Sequence, residues 1–419
     1  MSRTWNAGPL RSPLLTFALA AVAAAPTAAE WPQWGGPGRD FESATTGLAS
    51  AWPDSGPRRL WRRALGEGYS SVAVADGRLF TLYRDGDDEV AVALDPATGA
   101  TLWQHRWPEP TDGFNLQQGP GPHSTPLVVS ERVFAVGARG RLVALEAASG
   151  RLLWARELVD RLGGTFFDRG YAPSPIAWGD TVITTVGGAG HAVMAFRQAD
   201  GELAWQAQDF GNAPASPSLI EVGGQPQLVV FMAREVAGLD PDGGALLWRH
   251  EHRTNWDLNI SVPVWGDDGV LFYSSAYDSG GGALRLTRSG GSTSLEPLWF
   301  SNQVRVHFTN AIRIGDVVYA STGDFGPVPL LAVDVHSGEI LWRDRHFSRA
   351  SLILADDKLV ILDEDGTLGL ARVGPAGLEV LAEHQLLDRR AWTPPALSGR
   401  ALFIRDREEI QAVELPGSE

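Results

Sequence analysis

The sequence of 419 residues contains no cysteine and a single lysine, Lys358, and it has no long apolar run beyond its first 29 residues. The absence of cysteine excludes a disulfide framework, a thiol nucleophile and a lipid anchor on a cysteine side chain. The G-x-S-x-G, H-E-x-x-H, Walker and dinucleotide-binding motifs are also absent. The sequence therefore identifies no catalytic residue.

The charge is unbalanced, with 35 basic and 50 acidic residues and a formal net charge of −15. Such a chain repels phosphate backbones, so we do not expect a nucleic-acid partner. The 44% hydrophobic fraction is that of a globular protein, while 48 glycines and 27 prolines indicate many turns. This composition favours a β-rich protein without a transmembrane segment, which we expect to be a monomer.

Residues 1–29 have the features of a secretory signal peptide. Arg3 and Arg11 precede the apolar run "LLTFALAAVAAA" (14–25) and the small-residue end "PTAA". Twelve apolar residues are too few to cross a bilayer, so we predict cleavage near Ala29. We expect a signal peptide at 1–29, a lead-in segment at 30–51 and a repeat domain at 52–419, with the mature protein in the periplasm or secreted.

The remaining sequence repeats one short pattern. The stretch "ALDPATGATLW" (93–103) returns as "ALEAASGRLLW" (144–154), "AFRQADGELAW" (195–205), "GLDPDGGALLW" (238–248) and "AVDVHSGEILW" (332–342). Each copy has a glycine four residues before a tryptophan, with β-forming residues on both sides. This pattern predicts a hairpin with a tight turn.

The tryptophan of this pattern recurs roughly every 40–50 residues, which is the period of a repeat architecture. The markers are Trp61, Trp103, Trp154, Trp205, Trp248, Trp299 and Trp342, with Leu381 in the eighth position. We interpret these tryptophans as structural residues that dock each repeat onto its neighbour.

The two chain ends are complementary. The stretch "RRLW" (58–61) has a tryptophan strand with no hairpin before it, and the last repeat, from "WTPP" to "AVELPGSE", has no tryptophan strand after it. Pairing these ends would close a ring and protect its sheet edges. The sequence therefore predicts an all-β, eight-bladed β-propeller of four-stranded antiparallel blades, with an N-terminal strand completing the last blade.

The repeat resembles that of the quinoprotein-type, or PQQ-like, eight-bladed propeller family (PQQ, pyrroloquinoline quinone). Ala93, Asp95, Thr98, Gly99 and Trp103 match its A-x-D-x-x-T-G-x-x-x-W pattern, and "WPQWGGPGRD" (31–40) resembles the lead-in of secreted bacterial members. The resemblance implies one of two roles. The family includes quinone-dependent alcohol and sugar dehydrogenases, and also BamB, the non-enzymatic propeller lipoprotein of the outer-membrane β-barrel assembly machinery.

The chain departs from both groups. Members of the dehydrogenase group are generally longer and often carry a vicinal Cys-Cys disulfide, and no calcium-ligand set transfers to this sequence; the assembly lipoprotein carries a lipidated cysteine. We expect a BamB-like binding or assembly module of the bacterial cell envelope, without a cofactor, whose partner is an envelope protein or peptide. The alternatives are a PQQ-dependent oxidoreductase holding PQQ with Ca²⁺, and a carbohydrate- or peptide-binding propeller.

Residues at the start of each innermost strand are the candidate ligand-binding residues, because these positions converge on one axial face of a propeller. They are Tyr69, His123, Arg169, Tyr171, Asn212, Asn259, His307, Arg349 and Trp392. The mixture suits an anionic or sugar-like small molecule, or a peptide, with Arg169 and Arg349 expected to be unpaired. The same groups could instead satisfy loop backbone and hold channel water.

Three further stretches suggest metal binding without completing a site. The acidic turns "DGDDE" (85–89) and "DEDG" (363–366) lack the full calcium-loop spacing, and we interpret both as solvent-exposed hairpins. The stretch "HEH" (250–252) offers two histidines on one strand face but no third zinc ligand, so we interpret it as a surface strand. We therefore predict no metal site.

Overall fold

A computed structural model of the chain describes residues 1, 30–326 and 328–418. Apart from Met1, the predicted signal peptide lies outside these described residues. The described ranges contain 33 β-strands and one short 3₁₀ helix, Leu116–Gln118. Among the same residues, no helix has the length and apolar character needed to cross a membrane.

The first four blades follow one another along the chain, each an antiparallel sheet of four strands. Their strands are β3 (Ala73–Ala75), β4 (Arg78–Asp85), β5 (Asp88–Leu94) and β6 (Thr101–Pro108) in blade 1; β7 (Leu127–Val129), β8 (Arg132–Val136), β9 (Arg141–Glu146) and β10 (Leu152–Glu157) in blade 2; β11 (Ile176–Trp178), β12 (Thr181–Thr185), β13 (Val193–Arg197) and β14 (Leu203–Ala207) in blade 3; β15 (Ser218–Val222), β16 (Gln225–Met232), β17 (Glu235–Leu239) and β18 (Leu246–Glu251) in blade 4.

The other four blades continue this order, and blade 8 takes its outermost strand from the N-terminal region. Their strands are β19 (Val264–Gly266), β20 (Val270–Ser275), β21 (Gly280–Ser289) and β22 (Ser292–Ser301) in blade 5; β23 (Ala311–Ile314), β24 (Val317–Ser321), β25 (Pro329–Asp334) and β26 (Ile340–Ser348) in blade 6; β27 (Ser351–Ala355), β28 (Lys358–Leu362), β29 (Thr367–Gly374) and β30 (Gly377–Gln385) in blade 7; β31 (Ala396–Ser398), β32 (Ala401–Arg405), β33 (Glu409–Glu414) and β2 (Arg58–Ala64) in blade 8.

Strand β2 closes the ring by pairing with β33 near the other end of the chain. The register runs antiparallel from Arg58 opposite Glu414 to Ala64 opposite Glu409. Without this strand, β33 would present an open edge. The predicted eight-bladed propeller, including closure by an N-terminal strand, is confirmed.

The repeated tryptophan connects each blade to the next, as Trp103 shows. Its indole N–H donates to the backbone oxygen of Ala147 in blade 2, at 2.9 Å, and its side chain is buried. Gly150 in the same turn has φ of +72°, and a Cβ there would lie 2.4 Å from the Trp103 ring. Glycine is therefore needed both for the turn and for close packing of the ring.

The same arrangement recurs around most of the ring. Indole N–H groups donate across a blade boundary at 2.7–3.0 Å from Trp61 to Pro96, Trp154 to Gln198, Trp299 to Val335 and Trp342 to Gly374. Trp205 packs against Gly244 of blade 4.

Trp248 makes a different contact. Its indole N–H donates to the side chain of Gln227 in its own blade, at 2.7 Å. The facing hairpin of blade 5 has ten-residue strands joined by Gly290 and Gly291, in place of the short T-G turn. Its turn therefore lies too far out to receive the ring.

The hydrophobic core is divided among layers between neighbouring blades. One cluster joins Phe80 and Leu82 of blade 1 to Val133 and Val143 of blade 2. Each sheet buries both faces against its neighbours, so the strands carry long apolar runs. This packing fixes the angle between blades.

The lead-in segment runs across the ends of the innermost strands. Trp31 forms a β-bridge with Val74, and the backbone oxygen of Pro32 accepts from the N–H of Val128 at 2.8 Å. Further along, β1 (Glu42–Ser43) pairs in parallel with β27, the innermost strand of blade 7. The segment thus spans the channel from blades 1 and 2 to blade 7 and closes this end.

We predict that Trp103→Ala lowers the free energy of unfolding by about 3–5 kcal/mol, because it removes a buried aromatic side chain and leaves a cavity. Leu102→Ala is the matched control on the same strand, since Leu102 is 48% exposed. It should cost less than about 1 kcal/mol. Denaturant unfolding measures both, and equal losses would show that Trp103 is not the docking residue.

Ring closure can be tested by a designed disulfide, because the chain has no native cysteine. Arg58→Cys with Glu414→Cys places two cysteines at paired positions of β2 and β33, roughly 5.5 Å apart between Cα atoms. Mild oxidation should cross-link them and raise the melting temperature. In the control, Arg58→Cys with Glu409→Cys, the pair is offset by about 17 Å along the strand. Cross-linking in the control alone would contradict the register.

Candidate functional site

The residues that precede the innermost strands surround a cavity on the propeller axis. Its volume is about 590 Å³, and it opens on the face where these strands begin. Trp34 of the lead-in segment also lines it, and the lead-in lies at the opposite ends of the same strands. The channel is therefore a pocket with one mouth and a floor.

Six of the nine predicted ligand-binding residues line this pocket. They are Tyr69, His123, Arg169, His307, Arg349 and Trp392. The positions come from blade boundaries far apart in the sequence, and ring closure brings them together. Their role in ligand binding stays a prediction.

The other three predicted residues do not line the pocket, because each is buried among protein groups. The Tyr171 hydroxyl donates to the backbone oxygen of Thr185 at 2.9 Å. Asn259 donates to the backbone oxygen of Met232 at 2.7 Å, and Asn212 accepts from the N–H of the following residue at 2.8 Å. These side chains satisfy buried backbone polar groups, which is a structural role.

Aromatic rings form a continuous series around one side of the pocket. Successive ring centres lie 4.8–6.0 Å apart, within the range of favourable aromatic contacts. We name this series the aromatic arc, and its members in order are His123, Tyr69, Trp392, Phe308, His307 and Tyr277. Phe308 and Tyr277 were not predicted from the sequence.

Polar atoms of the aromatic arc are largely bound by the protein itself. The Tyr69 hydroxyl donates to the backbone oxygen of Gln118, and Nε2 of His123 lies 2.9 Å from the backbone oxygen of Arg169. The indole N–H of Trp392 donates to the Glu364 carboxylate at 3.0 Å. The arc therefore offers a ligand ring surfaces more than hydrogen-bonding atoms.

The two histidines of the arc are neutral at pH 7. Burial, together with the charge of Arg349, lowers the pKa of His307 to about 4. Burial likewise lowers the pKa of His123 to about 4, and the charge of Arg169 acts in the same direction. Since neither ring is protonated, the positive charge of the pocket comes from its arginines.

Arg349 is not unpaired, contrary to the expectation from the sequence. Its Nε lies 3.2 Å from the carboxylate of Glu364, and its guanidinium lies 5.4 Å from the Phe308 ring centre. Glu364 belongs to the "DEDG" turn, so the interpretation of that turn as solvent-exposed is wrong for this residue. Glu89 of "DGDDE" is also buried, in an ion pair with Arg84 at 3.0 Å.

Arg169 and Arg390 are the pocket arginines for which the described residues provide no carboxylate partner. The guanidinium of Arg390 lies 5.0 Å from the Trp392 ring centre, and its Nη1 lies 3.5 Å from Oε1 of Gln118. Arg390 was missed in the sequence, although it precedes Trp392 by two residues. The unpaired arginines of the pocket are therefore Arg169 and Arg390, in place of the predicted pair of Arg169 and Arg349.

The acidic residues of the pocket already bind donors. The Asp324 carboxylate accepts from the N–H of Tyr277 at 2.8 Å and from Arg305 at 3.2 Å. Asp168 accepts from the side chain of Asn115 at 3.1 Å. Together with Glu364, these carboxylates act as internal acceptors.

Among the described residues, one group of three has atoms close enough to hold a metal ion: Asp268, Asp316 and His336. It lies in turns on the face opposite the mouth, and Arg313 already binds Asp268 at 2.9 Å. An acidic cluster neutralised in this way is a surface ion-pair network.

The "HEH" stretch lies at the end of β18, with His252 just after the strand, away from the pocket. His252 is buried, which corrects its interpretation as a surface residue. Nε2 of His250 lies 3.0 Å from the hydroxyl of Tyr273, and Nε2 of His252 lies 3.1 Å from the Ser279 hydroxyl. Both rings therefore have structural partners.

The sequence pattern of the family described as outer membrane protein assembly factor BamB matches residues 41–117 and 86–288, which is more than half of the chain. The chain belongs to the BamB family. BamB of Yersinia pestis is 24% identical over 377 residues, covering 83% of this chain and 87% of the relative.

Two solved structures share the fold. BamB from Moraxella catarrhalis superimposes with a TM-score of 0.59 at 14% identity, covering 85% of this chain and 97% of that one. Quinohemoprotein alcohol dehydrogenase from Comamonas testosteroni gives a TM-score of 0.65 at 14% identity, covering 93% and 81%. At these identities the likeness establishes the propeller fold alone, so structural likeness does not separate the BamB family from the dehydrogenases.

The pocket histidines should make the protein sensitive to mild acid. Their pKa is near 6.5 in the unfolded chain and about 4 in the folded one, so the unfolded state binds more protons between these values. Stability is therefore lost as the pH falls from about 6.5 to about 4. The fall in melting temperature from pH 7 to pH 4.5 should be smaller in His123→Gln/His307→Gln than in the wild type. An equal fall in the wild type and in the double variant would contradict this prediction.

Proposed function

We propose that this chain is an exported, non-enzymatic assembly module of the bacterial cell envelope that binds another envelope protein. The observation that carries the proposal is the match to the assembly-factor family over residues 41–117 and 86–288. The relatives named for this role align over most of the chain's length. The periplasm is the proposed location, in agreement with the predicted signal peptide.

The pocket supports binding more than catalysis. Its histidines are neutral, and its carboxylates are engaged with donors, so no poised acid–base pair faces the cavity. Without such a pair, a reaction in the pocket would depend on a cofactor.

The alternative function is that of a PQQ-dependent oxidoreductase, in which Ca²⁺ would hold the cofactor and PQQ would supply the redox chemistry. Calcium takes about six to eight oxygen ligands, largely from carboxylates and carbonyls. The pocket carboxylates Glu364, Asp324 and Asp168 each accept from protein donors instead. The residues present do not fit this cofactor, so the oxidoreductase is the weaker candidate.

The mouth side of the propeller is the surface we assign to the partner. Trp256, in the loop from blade 4 to blade 5, is 69% exposed, and Phe325, in the β24–β25 hairpin, is 83% exposed. Exposed aromatic side chains of this size are typical of protein interfaces, where they bury large apolar areas. Phe325 also lines the pocket, so this surface is continuous with the mouth.

Deleting the gene in the source bacterium should lower the amount of folded outer-membrane proteins, measured by heat-modifiable mobility in gels. The wild-type chain should restore that amount, and Trp256→Ala/Phe325→Ala should restore less, because it removes the proposed contact aromatics. Leu102→Ala/Leu152→Ala is the matched control, since both leucines are exposed on outer strands of other blades. An unchanged amount of folded protein after deletion would overturn the assembly role.

Cross-linking tests the surface separately. A photo-reactive phenylalanine analogue at position 256 or 325 should form adducts with an envelope protein in cells, and one at Leu102 should not. Adducts from position 102 alone would move the interface to the outer strands. Purified protein mixed with PQQ and Ca²⁺ should show neither bound cofactor absorbance nor dye-linked oxidation of alcohols and sugars.

A further inference from the structure

The pocket has an aliphatic side and an aromatic side. Leu258, Ile260 and Val262 line it from the segment entering blade 5, and Pro214 lines it from the segment entering blade 4. The aromatic arc forms the wall on blades 2, 1, 8, 6 and 5. Trp34 lies at the floor, so carbon atoms dominate both walls and the base. A ligand body in this space would be apolar.

The pocket lining contains three arginines and three carboxylates, and these groups are not all paired with one another. Arg349 is neutralised by Glu364, whereas Arg169 and Arg390 lack a carboxylate partner among the described residues. Both arginines lie near Tyr69. Its ring stacks at 5.6 Å on His123, whose Nε2 lies 2.9 Å from the backbone oxygen of Arg169. On the other side it stacks at 6.0 Å on Trp392, and the Arg390 guanidinium lies 5.0 Å from the Trp392 ring centre. A carboxylate beside Tyr69 would gain a charge-assisted partner from either arginine.

Hydrogen-bonding capacity separates two classes of acidic ligand. A sugar acid needs many donors and acceptors around its hydroxyl groups, because each buried hydroxyl left unpaired is costly. The polar atoms of Tyr69, His123 and Trp392 are already bound to protein groups. The pocket thus pairs an acidic group while leaving a polyhydroxylated body unsatisfied.

We propose that this pocket binds an apolar carboxylic acid, whose body lies against the aromatic arc and Ile260 and whose carboxylate pairs with Arg169 or Arg390. A volume of about 590 Å³ suits a small molecule. The floor formed by the lead-in excludes a chain threading through the axis. This inference does not depend on the assembly role, and it concerns a ligand chemistry distinct from a polar quinone.

The direct test is calorimetric titration of the purified protein with 2-naphthoate at pH 7. Its neutral isostere, 2-naphthamide, serves as the matched ligand. Naphthoate should bind saturably and at least tenfold more tightly than the amide, because only the acid pairs with the arginines. Since the pocket histidines stay neutral, the affinity should be constant from pH 6 to pH 8. Equal binding of the acid and the amide would overturn the proposal.

Variants locate the site. Arg169→Ala/Arg390→Ala should weaken naphthoate binding at least tenfold, and Arg161→Ala/Arg345→Ala, which removes the same charge from exposed arginines without ion partners in the described chain, should not. Val262→Thr, nearly isosteric, should weaken binding about threefold by making the wall more polar. Equal affinity of both double variants, with melting temperatures near that of the wild type, would place the ligand elsewhere.

Further ligands define the class. Decanoate tests whether an aliphatic body is accepted in place of an aromatic one, and either acid alone supports the proposal. Galacturonate and PQQ with Ca²⁺ should bind at least tenfold more weakly than naphthoate. Tighter binding of either, or no saturable binding of naphthoate or decanoate up to millimolar concentration, would overturn it.

Discussion

The contact between an indole ring and the turn of the next blade is the interaction on which this fold depends. A propeller blade touches only its neighbours, so its orientation is set by what joins the two sheets. Here the ring of Trp103 packs on Gly150 while its N–H binds the carbonyl of Ala147. One contact thus combines buried aromatic area with a satisfied donor, and its geometry repeats around most of the ring. Trp61 makes the same contact with Pro96, although its strand comes from the N-terminal side of the chain.

The fold could be predicted because its signals are local and periodic. A T-G turn, a β-forming flank and a tryptophan define a hairpin and a docking residue at once, and their count gives the number of blades. Local signals failed where the tertiary partner changed. Trp248 has the full motif, yet the facing hairpin of blade 5 is too long to receive it. The lead-in has no repeat to place it, so its course across the channel was not predictable.

The pocket was predictable only in part, for a geometric reason. Strand register shows which residues reach the mouth, but it does not show whether a side chain turns toward the axis or back into the sheet. Asn259 turns back and binds buried backbone, whereas His307 faces the pocket. Glu364, in the β28–β29 turn, pairs with Arg349 in the connection from blade 6 to blade 7, and no spacing rule connects the two. Ion pairs of this kind depend on three-dimensional position, which a repeat pattern does not encode.

The lead-in segment changes how a ligand can reach the central channel of the ring. A propeller ring on its own has a central channel that is open at both ends. Here Trp31, Pro32 and β1 cross one end, so the channel is accessible from the mouth only. A ligand in this pocket enters and leaves through the mouth, so the mouth sets the rate at which the ligand exchanges with solution. A protein bound over the mouth would block this route. It would retain a ligand already in the pocket and exclude a ligand still in solution. Ligand binding in the pocket and protein binding over the mouth would then be thermodynamically linked. Each would change the apparent affinity of the other.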